Sequence, residues 1–298
     1  MLGVKDAATG EYIAVLTNFA THCWLYACDL ISADVSGACS AFVEAQLKEE
    51  GHPAVVAMFC PGTHSNIVTV QNQHYPPQEA SAPTVRLAAG GAPPHVGEWP
   101  DTVPKREAWF ATEVGRFGGI LGKATLEALG TSVNAQHGDG GGTAAESSSS
   151  SSAATTNGDS GGVNSGGAAT ITASCTTIAA PVYESYLADI LATRKGTAGE
   201  GTLPPTELTM PTEVQVLGVG AAVRFVGLPS EVYVEYGLEI KAKSKFKHTF
   251  VFSYCNDYFA DIVTQEAVDE GTCPELDWAK VGPGVRGKIM GALAPQLF

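Results

Sequence analysis

No stretch of this chain comes near the roughly 18 to 20 uninterrupted apolar residues that a membrane-spanning helix needs. The opening run MLGVKDAATGEY also lacks the apolar block of a secretory signal, so no leader is expected within the sequence and the compartment stays open. Basic charge is scarce. Against 31 Asp and Glu stand 17 Lys and Arg, a formal charge of -14, which argues against nucleic acid and anionic membrane surfaces as partners. The seven cysteines, Cys23, Cys28, Cys39, Cys60, Cys175, Cys255 and Cys273, are odd in number and form no C-x-x-C pair. That spacing excludes a zinc ribbon and a fully paired disulfide framework and leaves most of them to act as small buried apolar side chains. No internal repeat is present.

What the chain does have is apolar material: 44% hydrophobic side chains over 298 residues, enough for an enzyme-sized core. It is distributed unevenly. Residues 138–170 hold almost nothing large and apolar; they cannot repay the entropy of ordering and are expected to form a flexible Gly/Ser-rich insertion. Gln71 to Pro104 carries seven prolines, from Pro76 to Pro104, and reads as a long surface loop.

Elsewhere a β-rich run stops at a polar or glycine cluster, and a helical pattern often follows. Ile13–Ala20 stops at Thr21-His22, Ala54–Phe59 at Pro61-Gly-Thr-His-Ser-Asn66, and Thr249–Tyr254 at Cys255-Asn-Asp-Tyr258. Val214–Leu217 and Ala221–Val226 read as a hairpin whose second strand stops at Gly227-Leu-Pro-Ser-Glu231. Helical periodicity marks Ser36–Glu50, Trp109–Leu129 and Val232–Lys243. The expectation is a mixed α/β fold of layered mixed β-sheets flanked by helices, one discontinuous domain over residues 1–298. In such folds polar groups gathered at strand ends line the site.

Those strand ends, in their order, carry a resemblance. Asn18-Phe-Ala-Thr-His22 with Ile31-Ser-Ala-Asp34 and Gly37, then Phe59-Cys-Pro-Gly-Thr-His-Ser-Asn-Ile67, then Val226-Gly-Leu-Pro-Ser-Glu231, and last Tyr254 to Thr264 resemble motifs of the neutral (non-lysosomal) ceramidase family. The resemblance runs across nearly the whole chain apart from the insertion. Members of that family are zinc amidases, often secreted or membrane-associated, and the resemblance implies a lipid amide as substrate.

In the family, zinc is held by two histidines, a glutamate and a tyrosine, and a serine near the metal takes part in cleaving the N-acyl amide. Carried over, His22 matches the second histidine and Glu231 the glutamate, which the helical pattern after it would place in a favourable helix dipole; the first histidine would lie upstream of Met1. Asp261 stands at the tyrosine's place, which makes it the candidate third zinc ligand, and Val68 and Thr69 stand where the serine and its following proline belong. A neutral imidazole and carboxylates suit Zn²⁺. His64 is a candidate further ligand or general base, Asp34 a carboxylate behind a metal-bound imidazole, and Asn66, Asn256 and Tyr258 supporting or substrate-facing groups. Each has a plainer use as well: strand-end hydrogen bonding for His22, a helix-start charge for Glu231, a cap for Asp34, a loop carboxylate for Asp261, and turn or packing roles for Asn256 and Tyr258. Two functions remain open at this point, a ceramidase-like hydrolase using zinc-activated water and a degenerate or truncated relative that binds without chemistry.

Overall fold

The computed structural model describes residues 1–23, 31–67, 103–130, 170–183, 186 and 208–298. They form a mixed α/β structure with several β-sheets flanked by helices and cluster into two compact units. Among them no helix is long and apolar enough to cross a membrane.

The first unit comprises the described residues of Met1–Thr17, Leu25–Phe59 and Trp99–Ala168. Its sheet has the order β1 (Leu2–Lys5), β2 (Tyr12–Phe19), β3 (Val56–Pro61), with β1 antiparallel to β2 and a bulge between Val4 and Lys5. Val15 and Thr17 of β2 alternate inward, the period-2 pattern of a half-buried strand. Helix α1 (Asp34–Glu49) buries Val35, Cys39, Val43 and Leu47, one stripe at four-residue spacing. It packs on α2 (Val103–Leu129), and Tyr12, Val15, Val43, Leu47, Val55 and Leu126 share a core. Glycine makes this helix pair possible. A Cβ at Gly118 would lie 2.3 Å from the Ala38 Cβ and 2.8 Å from the Ala38 carbonyl carbon. Because one of those atoms is backbone, Gly118→Ala must push the helices apart; a loss of about 1–3 kcal/mol is expected, read as a lower urea midpoint with an unchanged slope.

The second unit comprises the described residues of Asn18–Trp24, Cys60–Glu98 and Ala169–Phe298. Its main sheet has the order β4 (Ile171–Pro181), β5 (Thr209–Val219), β6 (Val223–Gly227), β8 (His248–Phe252). The first two pairs are antiparallel and β6–β8 is parallel, so the sheet is mixed. The β6-to-β8 crossover contains β7 (Glu231–Val232) and helix α3 (Val234–Lys243); β9 (Asp261–Ile262), α4 (Gln265–Asp269), a 3-10 turn (Pro274–Asp277) and α5 (Val285–Leu297) follow. Inward residues Ile178, Val214, Val216, Val226 and Val251 meet Tyr236 and Ile240 of α3 and Val285, Ile289, Leu293 and Leu297 of α5 in one core.

Two sequence expectations need correcting. Val103 and Pro104, assigned to the long loop, open α2; the first helical turn tolerates proline because its missing N–H has no intrahelical acceptor there. Residues 71–102 of that loop lie outside the described residues, as does the 138–170 insertion except Thr170, whose carbonyl accepts from the Gly220 N–H. The cysteines are not mostly buried. Of the six described, Cys39 is buried, Cys175 is exposed and the others are half-buried, with no disulfide among them; most sit at strand ends and on an open sheet face, where packing is one-sided.

Candidate functional site

The parallel strands β6 and β8 end side by side, and the chain beyond each is braced to the other. The Leu228 N–H donates to the Phe252 carbonyl, the Tyr254 N–H to the Ser230 carbonyl and the Ser230 N–H to the Asp257 carbonyl. Ser230, Tyr254, Asn256 and Ala260 hold φ of 60°, 59°, 66° and 67°, a left-handed conformation that costs non-glycine residues roughly 1–2 kcal/mol each. Such a cost persists where surrounding bonds over-determine the backbone. The outcome is the short parallel pair β7–β9, which sets Glu231 beside Asp261.

A third segment, the loop after β3, docks here. The Ser65 N–H donates to the Val232 carbonyl, and the Asn66 side-chain oxygen accepts from the Val234 N–H at 2.9 Å, supplying from a distance the cap that α3 lacks locally. Helix and loop approach closely because residue 237 is glycine: a Cβ there would lie 2.1 Å from the Thr63 hydroxyl oxygen. The Ile67 carbonyl takes both the His22 N–H, at 3.3 Å, and the His22 ring Nδ1, at 2.7 Å.

That last bond decides the chemistry of His22. With Nδ1–H spent on a carbonyl, Nε2 is left to face Glu231 Oε2 at 3.3 Å: protonated it donates to the carboxylate, and in the neutral ring it is the nitrogen that carries the lone pair. Burial alone would lower the His22 pKa, but the Glu231 carboxylate and the Ile67 carbonyl outweigh it, and the net shift is upward. The Glu231 carboxyl is held below its ordinary value by the His22 hydrogen bond, against burial, helped by the hydroxyls of Tyr258 and Tyr254. Tyr258 donates to Glu231 Oε1 at 2.9 Å. Glu231 lies in β7, outside the first turn of α3, so these partners rather than a helix dipole stabilise its charge.

Next to this pair stands another. The buried Ser65 hydroxyl donates to Asp261 Oδ1 at 2.6 Å. Burial pushes the Asp261 pKa up to about 6, and the neighbouring Glu231 charge adds to the rise, against the Ser65 bond. His64 is almost fully buried; Nδ1 meets the Gly62 carbonyl at 2.6 Å and Nε2 the Tyr254 hydroxyl at 3.2 Å. Desolvation lowers its pKa, so it is neutral, and its ring packs edge-on against His22 at 4.7 Å between centroids. With both nitrogens engaged, His64 orients Tyr254 and His22.

His22, His64, Glu231, Tyr258 and Asp261 thus gather in one cluster. Asn66 turns instead to α3, capping it and bonding Glu235. Asn256 lines a separate cavity of about 360 Å3 with Thr177, Glu213 and Asp257. Asp34 belongs to the other unit, where its carboxylate accepts from the Val35 N–H, and Val68 and Thr69 lie outside the described residues. Tyr254 was not singled out from sequence, and Ser65 drew notice there only beside His64 and Asn66, as a polar loop with no nucleophile and base known to be in contact.

The family resemblance implies zinc, and the donor geometry accommodates it. Bonds of about 2.0–2.1 Å in a tetrahedral shell set two donor atoms roughly 3.3–3.4 Å apart, the separation of His22 Nε2 and Glu231 Oε2, and the other heteroatom of each side chain is already tied back. The same spacing is that of the His22–Glu231 ion pair itself, and two donors are fewer than the three or four that a zinc site takes from the protein. Among the described residues no group of three or more His, Cys, Asp and Glu is arranged to hold a metal.

No protein-family model matches the sequence, and no curated protein does. Solved structures match the backbone, two ceramidases among them. Neutral ceramidase from Pseudomonas aeruginosa does so with a TM-score of 0.53 and 14% identity, over 97% of this chain and 44% of that one. A ceramidase complexed with C2 gives 0.54 and 13%, over 99% and 47%. The chain has a ceramidase-like fold. It spans less than half the length of those ceramidases, and at such identities the likeness is one of fold alone. Within that fold, the cluster forms from three strand ends, after β2, β3 and β6, and from the loop that follows β8.

Proposed function

We propose that this chain is a hydrolase of N-acyl lipid amides, ceramide or a relative, that works with zinc held by His22 and Glu231. The observation that carries the reading is the pair itself: two donor atoms 3.3 Å apart, each aimed by a second bond, on a ceramidase-like fold. Zinc in such a position would polarise the amide carbonyl and lower the pKa of water. The chain's own residues do the rest. The Ile67 carbonyl engages Nδ1–H of His22 and so leaves Nε2 as the nitrogen free to ligate once it has lost its proton, and Tyr258 holds the Glu231 carboxylate in place. Asp261, kept oriented by Ser65, accepts a proton from the attacking water as the C–O bond forms. It returns that proton to the amide nitrogen as the C–N bond breaks, leaving a fatty acid and an amine. A pKa of about 6 suits a group that must both take and give a proton near neutrality. Ser65 in this reading supplies the hydroxyl that the resemblance sets at residue 68.

A second reading, a ceramidase-fold protein that binds a ligand without turnover, is favoured by the lack of a third His, Cys, Asp or Glu donor among the described residues. Two measurements on the purified protein separate them: zinc content, and fatty-acid release from a short fluorescent ceramide. Stoichiometric zinc with turnover supports the hydrolase, zinc without turnover the binding protein, and absence of both overturns the metal assignment.

The raised His22 pKa sets the pH dependence of metal uptake. Below that pKa a proton must leave Nε2 before zinc can bind, so the zinc association constant is expected to rise about tenfold per pH unit up to it and then level off. Titration with a competing chelator between pH 5.5 and 8 checks this; a flat profile would remove His22 from the ligand set.

A further inference from the structure

The main sheet of the second unit ends in two unlike edges. At β8 the edge is short and guarded: the Asn18 side-chain amide donates to the Val251 carbonyl at 3.0 Å, and the Ser253 N–H donates to the Pro61 carbonyl. At β4 it is long and open. Even-numbered residues there turn their N–H and C=O groups to β5, as the bonds from the Gly220 N–H to the Thr170 carbonyl and from the Val182 N–H to the Leu208 carbonyl mark at its two ends. Odd-numbered residues turn theirs the other way. On that side the Pro181 carbonyl accepts from the Gly282 N–H and the Tyr183 N–H donates to the Lys280 carbonyl, which closes one end. Ile171, Ala173, Cys175, Thr177 and Ala179 are all exposed, and among the described residues none bonds their outward backbone groups. Sheet proteins blunt such an edge with charge, proline, a bulge or a short strand. Residues 171–179 use none of these: they carry no charged residue and no proline, and the register of β4 on β5 runs unshifted along its length.

We infer that the open edge of β4 is the interface of a two-fold dimer, in which β4 pairs antiparallel with β4 of a second copy about Cys175 and joins the two main sheets into one. The open residues set that centre. They are spaced symmetrically about Cys175, so this register alone gives each of them a hydrogen-bonded partner: Ile171 with Ala179, Ala173 with Thr177, and Cys175 with its own copy. The pairing is self-complementary in size and in charge. It sets a large side chain beside a small one, Ile171 against Ala179, and no charge meets its copy anywhere along the strand. A charged strand from another protein would find no counter-charge there, which favours a second copy as the occupant. Each copy carries a formal charge of -14, and the repulsion between them is screened beyond about 8 Å at physiological ionic strength. The inference stands apart from the metal assignment.

The test is sedimentation equilibrium of the full chain at about 0.15 M salt, with thiol cross-linking beside it. Expected for the wild type is twice the single-chain mass of 30.8 kDa. Cys175→Lys sets two ammonium groups face to face on the dimer axis, at a side chain exposed in the single copy, and should return the single-chain mass at the same concentration. A short bismaleimide should join two wild-type copies through Cys175, and Cys175→Ser should remain a dimer yet lose that cross-link. A wild type of single-chain mass overturns the inference. So does a dimer that persists in Cys175→Lys, because the contact then lies on another surface. A wild-type dimer that the reagent does not join through Cys175 overturns the pairing as well, and this arm is read on the unaltered chain, so misfolding of a variant has no part in it.

Discussion

His22→Ala is expected to lower zinc affinity by more than about 100-fold, beyond the 10- to 100-fold typical of losing a group behind a ligand, and to take amide hydrolysis to background. The variant removes one of the two proposed zinc donors, whose atoms lie 3.3 Å apart, and alanine leaves no atom that could replace Nε2. It also takes away the hydrogen bond that contributes most to keeping the Glu231 carboxyl below its ordinary range, so the surviving donor holds its proton more tightly. Elemental analysis after dialysis, paired with the fluorescent ceramide assay, reads both effects. The fold should survive, since the half-buried ring packs against His64 and is not part of the apolar core. Full zinc occupancy in the variant would end the assignment of this site.

Asp261→Asn should separate activity from stability, with opposite signs. In the proposed role of proton acceptor Asp261 would contribute about 10²- to 10⁴-fold to the rate, and asparagine cannot take the proton, so turnover should fall by that factor. Its carbonyl oxygen can still accept the Ser65 hydroxyl, so the packing is kept. Stability of the metal-free protein should move the other way. The folded-state pKa of Asp261 is about 6, raised above its ordinary 3.8 by burial first and by the Glu231 charge as well. The folded protein therefore binds this proton more tightly than the unfolded chain does. Stability is greatest at and below about pH 4 on this account, declines as pH rises towards 6, and stays low beyond it, a loss of up to about 3 kcal/mol. Asparagine carries no such charge. Urea denaturation at pH 5 and pH 8 should show the wild type losing stability between the two more steeply than the variant, and the variant the more stable at pH 8. An equal change in both would place the buried charge elsewhere.

Much of the fold was legible locally. The alternation in Tyr12–Phe19 and the four-residue stripe Val35, Cys39, Val43, Leu47 are short-range patterns, and each leads to the element observed. The hairpin around Gly220 is legible for the same reason: that glycine has a φ of 58°, which side chains resist. Strand β4 was not. Its sequence ITASCTTIAAP has little apolar contrast, and it is a strand because eleven residue pairs lock it to β5. The two-residue strands β7 and β9 have no local signature at all and exist only as partners of each other.

The site divides along the same line. Sequence by itself determined which chemistry was possible, placing His22, Glu231 and Asp261 at the ends of chain segments where side chains are not consumed by a core. Tertiary structure alone decided which atoms meet. It brought Ser65 to Asp261 across 196 positions and turned His22 Nε2 towards Glu231 by anchoring Nδ1 on the Ile67 carbonyl. Periodicity reports how a residue relates to its near neighbours in the chain. A hydrogen bond depends on distances of a few tenths of an ångström between residues far apart in it, and only the packed backbone sets those.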